Sequence, residues 1–396
     1  MRILFLSPWF PFPPSNGSKI RIYHLLLALS SKYEVDLISC IRKGEEVDFQ
    51  GIDRFTRSIA TVPWREYKPS GLRAKLGLFS PTPRYFYDTY NSDLAELIKE
   101  NIQKDKPNVI IASEIATARY LKNNQEIPII VDDLELGAFI AEKQFGNPTS
   151  YRQALTWKKM KNYVGNVVRH CSACTVVSDM EKDHLKKCVS FYKNIYVVPN
   201  GVDCHDLQPG QASNQPKKLI FNGSLTFRAN YEAVLYFLQD IYPLVRQNLP
   251  DVQFFITGST KDVDLKPLLL DSSVHLTGHL PDIHKAVASS SVCVVPIRTG
   301  GGTRLKILEA MALGIPVVST AKGAEGIQVT SGKNILLGDK PQEFAHQVLR
   351  LLQEPDLSEH IAQNARNLVE EMYCWEAITP KFLALVDQFA KAPENK

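Results

Sequence analysis

Between Val292 and Ser319 the chain runs through an apolar stretch, a loop of three consecutive glycines, a helical pattern with scarcely a polar side, and a second apolar stretch. A strand with one wet face alternates polar and apolar residues, so the continuous run Val292–Ile297 suits a parallel strand covered on both faces. The helix that follows is apolar nearly all round and must also be covered. Parallel strands joined through a helix form a β-α-β unit, and this segment therefore commits its part of the chain to a layered α/β architecture.

The same segment carries chemistry. Gly300, Gly301 and Gly302 let backbone approach a ligand closely, and a helix beginning at Thr303 presents N–H groups and a positive dipole end to an anion. Arg304 and Lys306 add cationic charge at that end, which suits a diphosphate. Glu309 lies in a helix with little polar face. An ionised carboxylate there needs donors, and the hydroxyls of a ribose supply them. The competing reading is a surface pair of Lys306 with Glu309, three residues apart. The combination points to a site for a phosphorylated nucleotide.

A chain of 396 residues exceeds what one core serves, so two domains are expected. Strand patterns fall at Arg2–Phe10, Glu34–Cys40, Val109–Ala112, Ile129–Val131, Cys174–Val177 and Ile195–Val198, with a helix over Ser18–Ser31. Asp203–Pro216 is polar, aperiodic and marked by Pro209, Gly210 and Pro216, which reads as a linker. Strands then recur at Leu219–Asn222, Gln253–Thr257, Val274–Leu276, Val292–Ile297 and Pro316–Ser319. Helices are expected near Tyr231–Asn248, Asp282–Ser290, Thr303–Leu313 and Gln342–Gln353. The pattern predicts two doubly wound Rossmann-like domains, residues 1–203 and 204–374, facing across a cleft where ligands bind beyond the carboxyl ends of strands. A last helix within 375–396 is long enough to cross back to the first domain.

Composition narrows the class. Seven scattered cysteines form no framework, and the apolar start runs into Pro11, Pro13 and Pro14 rather than a secretory signal; a cytoplasmic chain with reduced thiols is expected. No run approaches the ~20 apolar residues of a membrane span. Lys and Arg outnumber Asp and Glu by 28 to 21 in residues 1–200, against 18 to 21 in the remainder. Trp64–Tyr87 interleaves Arg65, Lys68, Arg73, Lys75 and Arg84 with aromatic residues, and Tyr151–Arg169 mixes Arg152, Lys158, Lys159, Lys161 and Arg169 with Trp157 and Tyr163. Such segments suit the inner face of an anionic membrane or an ordinary solvated basic face. No recognition motif for nucleic acid accompanies the charge. His170 with Cys171 and Cys174 shows half of a zinc spacing but no second pair, and His275, His279 and His284 straddle a strand and a loop, so no metal site is expected.

Gly300–Val318, together with Pro199–Asn200–Gly201–Val202–Asp203 and Phe221–Asn222–Gly223–Ser224–Leu225, resembles the retaining glycosyltransferases of the GT-B fold, family 4 type. The resemblance spans nearly the whole chain. Also similar are Phe5–Leu6–Ser7–Pro8 and the turn Asn16–Gly17–Ser18–Lys19–Ile20–Arg21, where Gly17 lets backbone near the donor phosphates. The resemblance implies a nucleoside-diphosphate sugar, UDP- or GDP-linked, as the donor substrate, with no cofactor and no metal. Glu309 matches the second carboxylate of the family's paired glutamates and is expected to hold the ribose. The first falls at position 301, which here is Gly301. The family's usual diphosphate cations fall at positions held here by Ser224 and Ala229, so Arg228 and Lys306, supported by Arg304, are expected to neutralise the diphosphate. Gly223, Ser224, Gly302 and Thr303 complete the expected donor site.

On the acceptor side, Asp132–Asp133–Leu134–Glu135 follows a strand. Asp133 is the candidate base, with helix N-capping by Asp132 or Asp133 as the alternative. The implied activity is transfer of a hexose, with retention, to a saccharide or lipid-linked acceptor in polysaccharide, lipopolysaccharide or glycolipid assembly. The family's route lets the leaving phosphate take the acceptor proton. Two other readings share the fold: a nucleotide-sugar-binding scaffold without turnover, and a non-hydrolysing nucleotide-sugar epimerase.

Overall fold

The computed structural model describes residues 1–122, 124, 126–134, 151–209, 217–268 and 270–390. The chain forms two compact units, one of Met1–Asn200 with Ile378–Lys396 and the other of Gly201–Ala377. Glu135, residues 210–216 of the linker pattern and the side chains of Tyr151 and Arg152 lie outside the described residues.

The first unit is built on a seven-stranded sheet: β1 (Arg2–Ser7), β2 (Glu34–Ile41), β3 (Ser58–Pro63), β4 (Val109–Ser113), β5 (Ile129–Asp132), β6 (Ala173–Val176) and β7 (Ile195–Val197). Its order is β3-β2-β1-β4-β5-β6-β7, and every pairing is parallel. β4 and β5 are buried along their whole length, as a sheet covered on both faces requires. The second unit repeats the plan with β8 (Lys218–Asn222), β9 (Gln253–Thr257), β10 (Val274–Gly278), β11 (Val292–Val295), β12 (Val317–Ser319) and β13 (Leu336–Leu337). They lie in the order β10-β9-β8-β11-β12-β13, again all parallel. Each unit is thus a doubly wound α/β sheet. The winding reverses between β1 and β4 in the first and between β8 and β11 in the second, the places where such sheets bind ligands.

Several elements differ from the sequence reading. β3 was not anticipated, because Ser58–Pro63 is a half-exposed edge strand with a weak apolar pattern, and the two residues of β13 are too few to show any. The helix expected over Tyr231–Asn248 is three pieces: Arg228–Tyr236, a π-helical stretch Phe237–Ile241, and Tyr242–Asn248. Pro243 explains the break. It has no N–H to donate to the preceding turn, and the wider π turn absorbs the mismatch. The Thr303–Leu313 helix is observed as Leu305–Ala312, since Arg304 has a non-helical ψ of 79°.

The expectation of reduced thiols is corrected at one pair. Cys204 and Cys374 form a disulfide within the second unit, their Cα atoms 5.6 Å apart. A sequence separation of 170 residues hides the pair, which the bridge between Val202 and Cys374 brings together. Cys171 and Cys174 are buried free thiols. Burial pushes Cys171 up to about 12 and Cys174 well above the thiol range. The last helix, Trp375–Ala390, contributes residues from Ile378 onward to the first unit. There Asp387 accepts from the Tyr33 hydroxyl at 2.6 Å and pairs with Lys32 at 2.5 Å.

Candidate functional site

In the second unit the carboxyl end of β8 meets the Leu305–Ala312 helix, and the two bring a cation and a carboxylate into one place. β8 ends at Asn222, and Gly223 follows with φ of 151°. A Cβ at Gly223 would lie 2.6 Å from Lys306 Nζ and 2.9 Å from Asn230 Nδ2, so only glycine admits the lysine here. Lys306 Nζ donates to Asn230 Oδ1 at 3.0 Å and sits 4.0 Å from the centre of the Phe221 ring. Asn230 Nδ2 in turn donates to the Ser224 carbonyl at 2.8 Å, which fixes the loop after β8. One turn along the helix, Glu309 accepts from Asn222 Nδ2 at 3.1 Å.

The electrostatics follow from this packing. Burial pushes the Lys306 ammonium down to about 7, with Arg304 pushing the same way and Cys293 and Glu309 opposing. Burial also pushes the Glu309 carboxyl above its ordinary range, against the pull of His284, Lys306 and the Asn222 hydrogen bond. Lys306 and Glu309 take separate asparagine partners rather than each other, which sets aside the surface-pair reading. The Thr303 hydroxyl and Asn222 Oδ1 are buried without a hydrogen-bond partner among the described residues. Orphaned polar atoms beside a cation are what a site for a polar ligand leaves when drawn without it.

The glycine loop leads into this site. Gly300 and Gly302 take left-handed φ values of 91° and 81°, and Gly301 between them does not. Arg304 folds back on the loop, donating to the Gly301 carbonyl at 2.8 Å and the Thr299 carbonyl at 3.3 Å. Both cations of the segment are thus held in place, Arg304 by loop carbonyls and Lys306 by Asn230. Arg228 is exposed and pairs with Glu232 at 2.6 Å, while Glu232 also accepts from the Thr299 hydroxyl at 3.1 Å. Arg228 is thereby tied to the rim of the loop rather than to Lys306. The Ser224 hydroxyl lies 2.7 Å from that of Thr226. Phe221, Asn222 and Asn230 complete the arrangement, and only the first two fall in a segment singled out by sequence; Asn230 has no spacing signal.

Gly17, Asp132 and Asp133 belong to the first unit. Gly17 opens the Gly17–Ser30 helix behind Asn16, whose side chain accepts from the Lys19 amide. Arg21 on this helix is fully buried, and its guanidinium grips Asp132 through two bonds of 2.8 Å. It also donates to the Val198 carbonyl at 3.0 Å, the Pro199 carbonyl at 3.1 Å and Asn200 Oδ1 at 3.0 Å. Asp132 also accepts from the Thr175 hydroxyl at 2.7 Å. Asp132, the last residue of β5, is thus sealed in a structural ion pair rather than open at the end of the strand. Asp133 follows with a left-handed φ of 55°, its amide on the Thr175 hydroxyl at 3.1 Å.

A cluster at the β1/β4 reversal was missed by sequence reading. Trp9 follows β1, Arg42 follows β2, Trp64 follows β3 and Glu114 follows β4. The Trp9 indole donates to Glu114 Oε1 at 3.0 Å, and the Arg42 guanidinium lies 3.7 Å from the Trp9 ring centre and 5.1 Å from that of Trp64. Glu114 has φ of 61°, a strained backbone of the kind that collects at functional sites. The four residues share no motif, and only the sheet order brings them together.

Two family models tile the chain. Glycosyltransferase Family 4 matches residues 15–206, and Glycosyl transferases group 1 matches residues 216–354. The chain belongs to the GT-B glycosyltransferases. An uncharacterized protein of the cps region of Klebsiella pneumoniae is 21% identical over 395 residues, covering 94% of this chain and 96% of that protein. Among solved structures, the sucrose-phosphate synthase of Thermosynechococcus elongatus superposes with a TM-score of 0.72 at 18% identity, over 98% of each chain. The HepE protein of Anabaena, solved with UDP and glucose, gives 0.66 at 16% identity over 98% of this chain and 99% of its own. Among the described residues of this glycosyltransferase, no helix is long and apolar enough to cross a membrane.

Proposed function

We propose that this glycosyltransferase moves a hexose from a UDP- or GDP-sugar to a hydroxyl acceptor, with retention at the anomeric carbon and without a metal ion. The observation that carries the reading is Lys306, a cation set, among the described residues, without a carboxylate partner under the glycine that follows β8, one helical turn from Glu309. Lys306 holds the diphosphate, with Arg304 and the Gly300–Gly302 loop beside it, and Glu309 takes the ribose hydroxyls. The reaction joins an acceptor oxygen to the anomeric carbon as the bond to the diphosphate oxygen breaks, and the acceptor proton passes to the leaving diphosphate. Charge on that oxygen is what Lys306 stabilises. Asp133 or Glu114 serves the acceptor hydroxyl in the first unit. The UDP and glucose held by the Anabaena protein favour a UDP-hexose, and the cps-region relative favours a saccharide acceptor in polysaccharide assembly.

A thermal-shift panel of UDP, GDP and their sugars tests the donor assignment, because a ligand that binds the folded state raises its midpoint by mass action. One nucleotide family is expected to shift wild type and to leave Lys306→Met and Glu309→Ala unmoved. A panel without any response, or a full response in both variants, removes the assignment. Proton NMR of the product then reads the anomeric configuration, and an inverted product refutes retention.

A further inference from the structure

The first unit carries an exposed apolar surface. The short helix Leu72–Leu76 and the turn after it leave Leu72 74% exposed, Leu76 49%, Leu78 45% and Phe79 90%. Single exposed hydrophobic residues are ordinary; four in so short a stretch, one of them a phenylalanine almost wholly in water, mark an interaction surface. The protein holds this turn in place rather than leaving it loose. Arg84 donates to the Ala74 carbonyl at 2.9 Å and the Pro69 carbonyl at 2.8 Å, and Lys159 donates to the Leu78 carbonyl at 2.6 Å. Gly77 lies so close to the following helix that a Cβ there would meet Arg84 Cα at 3.1 Å.

Behind the turn is a cavity of about 330 Å³ whose walls include Tyr67, Leu78, Pro83, Tyr85, Leu155 and Trp157. Leu155 extends the exposed apolar surface from the facing helix Tyr151–Val168. Exposed cations flank it: Arg65, Lys68 and Lys75 on one segment, Lys158 and Lys161 on the other. The only acid in residues 64–87 is Glu66, and residues 151–169 contain none. An apolar tip ringed by cations, with tyrosine and tryptophan at its base, matches the layering of an anionic bilayer: hydrocarbon inside, amphipathic rings at the interface, phosphates outside.

We propose that the 72–79 turn seats in the surface of an anionic phospholipid bilayer, Phe79 and the leucines entering the acyl region, the cations facing lipid phosphates, and the cavity receiving an acyl chain. The seat is independent of the donor site, so either can fail without the other. Full-length protein is floated with vesicles of phosphatidylcholine alone and of phosphatidylcholine with phosphatidylglycerol, at low and high salt. The protein is expected on the anionic vesicles, less at high salt. Leu72→Glu with Phe79→Glu is expected to lower the bound fraction by about tenfold or more, and Lys75→Glu with Lys158→Glu to abolish the preference for anionic lipid. These side chains are exposed, so the variants fold, and their unchanged response to UDP or GDP shows it. Absence from anionic vesicles, or equal flotation of the Leu72→Glu, Phe79→Glu variant, overturns the proposal. So does a wild-type dimer in sedimentation that this variant loses while vesicles bind neither, which would make the patch a contact between copies.

Discussion

Replacing Lys306 by methionine should stabilise the free protein, and the size of the gain follows from the site. Its ammonium has an asparagine oxygen at 3.0 Å and a phenylalanine ring at 4.0 Å, but no carboxylate bond among the described residues. Burial pushes it from 10.5 to about 7. At about 1.4 kcal/mol for each tenfold change, a displacement of that size corresponds to at most about 5 kcal/mol held against folding. Lys306 keeps part of its surface in contact with solvent, and the variant also loses the Asn230 bond, so the expected net gain is about 2 kcal/mol. The sign fixes the pH window. With the folded value below the unfolded one, the penalty is fully present below about pH 7 and disappears as pH rises toward 10.5. Lys306→Met should therefore raise the thermal midpoint of the second unit by roughly 4–8 °C in mildly acidic buffer, with the gain fading in alkaline buffer. Differential scanning calorimetry across that range measures it, with hydrogen exchange of β8 and β11 assigning the transition. A variant less stable than wild type in acid, or a gain that does not change with pH, refutes the reasoning. The same lysine should make nucleoside diphosphate binding take up a proton above about pH 7, so that wild-type affinity falls by up to about tenfold per pH unit there.

Gly223→Ala puts a methyl 2.6 Å from Lys306 Nζ at a φ of 151°, and should weaken UDP or GDP by about tenfold or more while costing about 1–2 kcal/mol of stability; unchanged affinity in calorimetric titration counts against the Lys306 site. Arg21→Met leaves Asp132 buried without its partner and should destabilise the first unit by about 3–5 kcal/mol in urea unfolding, with UDP response retained by the second; a cost below about 1 kcal/mol shows the pair is not structural. Glu309→Gln keeps an acceptor for Asn222 but loses the charge, and should weaken nucleotide by about tenfold with little change in the apo midpoint; equal affinity for nucleotides with and without the ribose diol in wild type removes the ribose role.

The fold was legible where burial is complete. Val292–Val295 and Val109–Ala112 announce themselves as strands because a parallel sheet covered on both faces demands unbroken apolar side chains. Ser58–Pro63 does not, since one side of β3 has no neighbour to demand them. At the site, the glycine loop, Lys306 and Glu309 are legible because they are contiguous and because a helix so apolar must give its two charged residues a purpose. Asn230 and Glu114 are not legible. Their place depends on which strands lie side by side, and no local spacing carries the order β3-β2-β1-β4 or β10-β9-β8-β11. Cys204 and Cys374 fail for the same reason, being neighbours only once both ends of the second unit have met.

Charged residues that look alike in the sequence separate by what satisfies them. Arg21 has Asp132 and four further acceptors inside the protein, so its charge is complete as it stands, and the exposed Arg228 is paired with Glu232 at the surface. Lys306 and Glu309 are each bonded to a neutral asparagine amide, and burial moves both toward their uncharged forms. A protein gains nothing in stability from a cation so placed, since an apolar side chain would fill the same space at lower cost. On the proposed reading the arrangement becomes favourable when the missing counter-charge arrives with a ligand: a diphosphate would restore the ammonium, and ribose hydroxyls would give the carboxylate the donors that Asn222 alone does not. On the same reading the departure at Gly301 alters the surroundings of the sugar, whereas at Ser224 and Ala229 the family's diphosphate cations are missing and Lys306, with Arg304 beside it, stands in for them. Discrimination among hexoses then falls to groups that the family pattern does not specify.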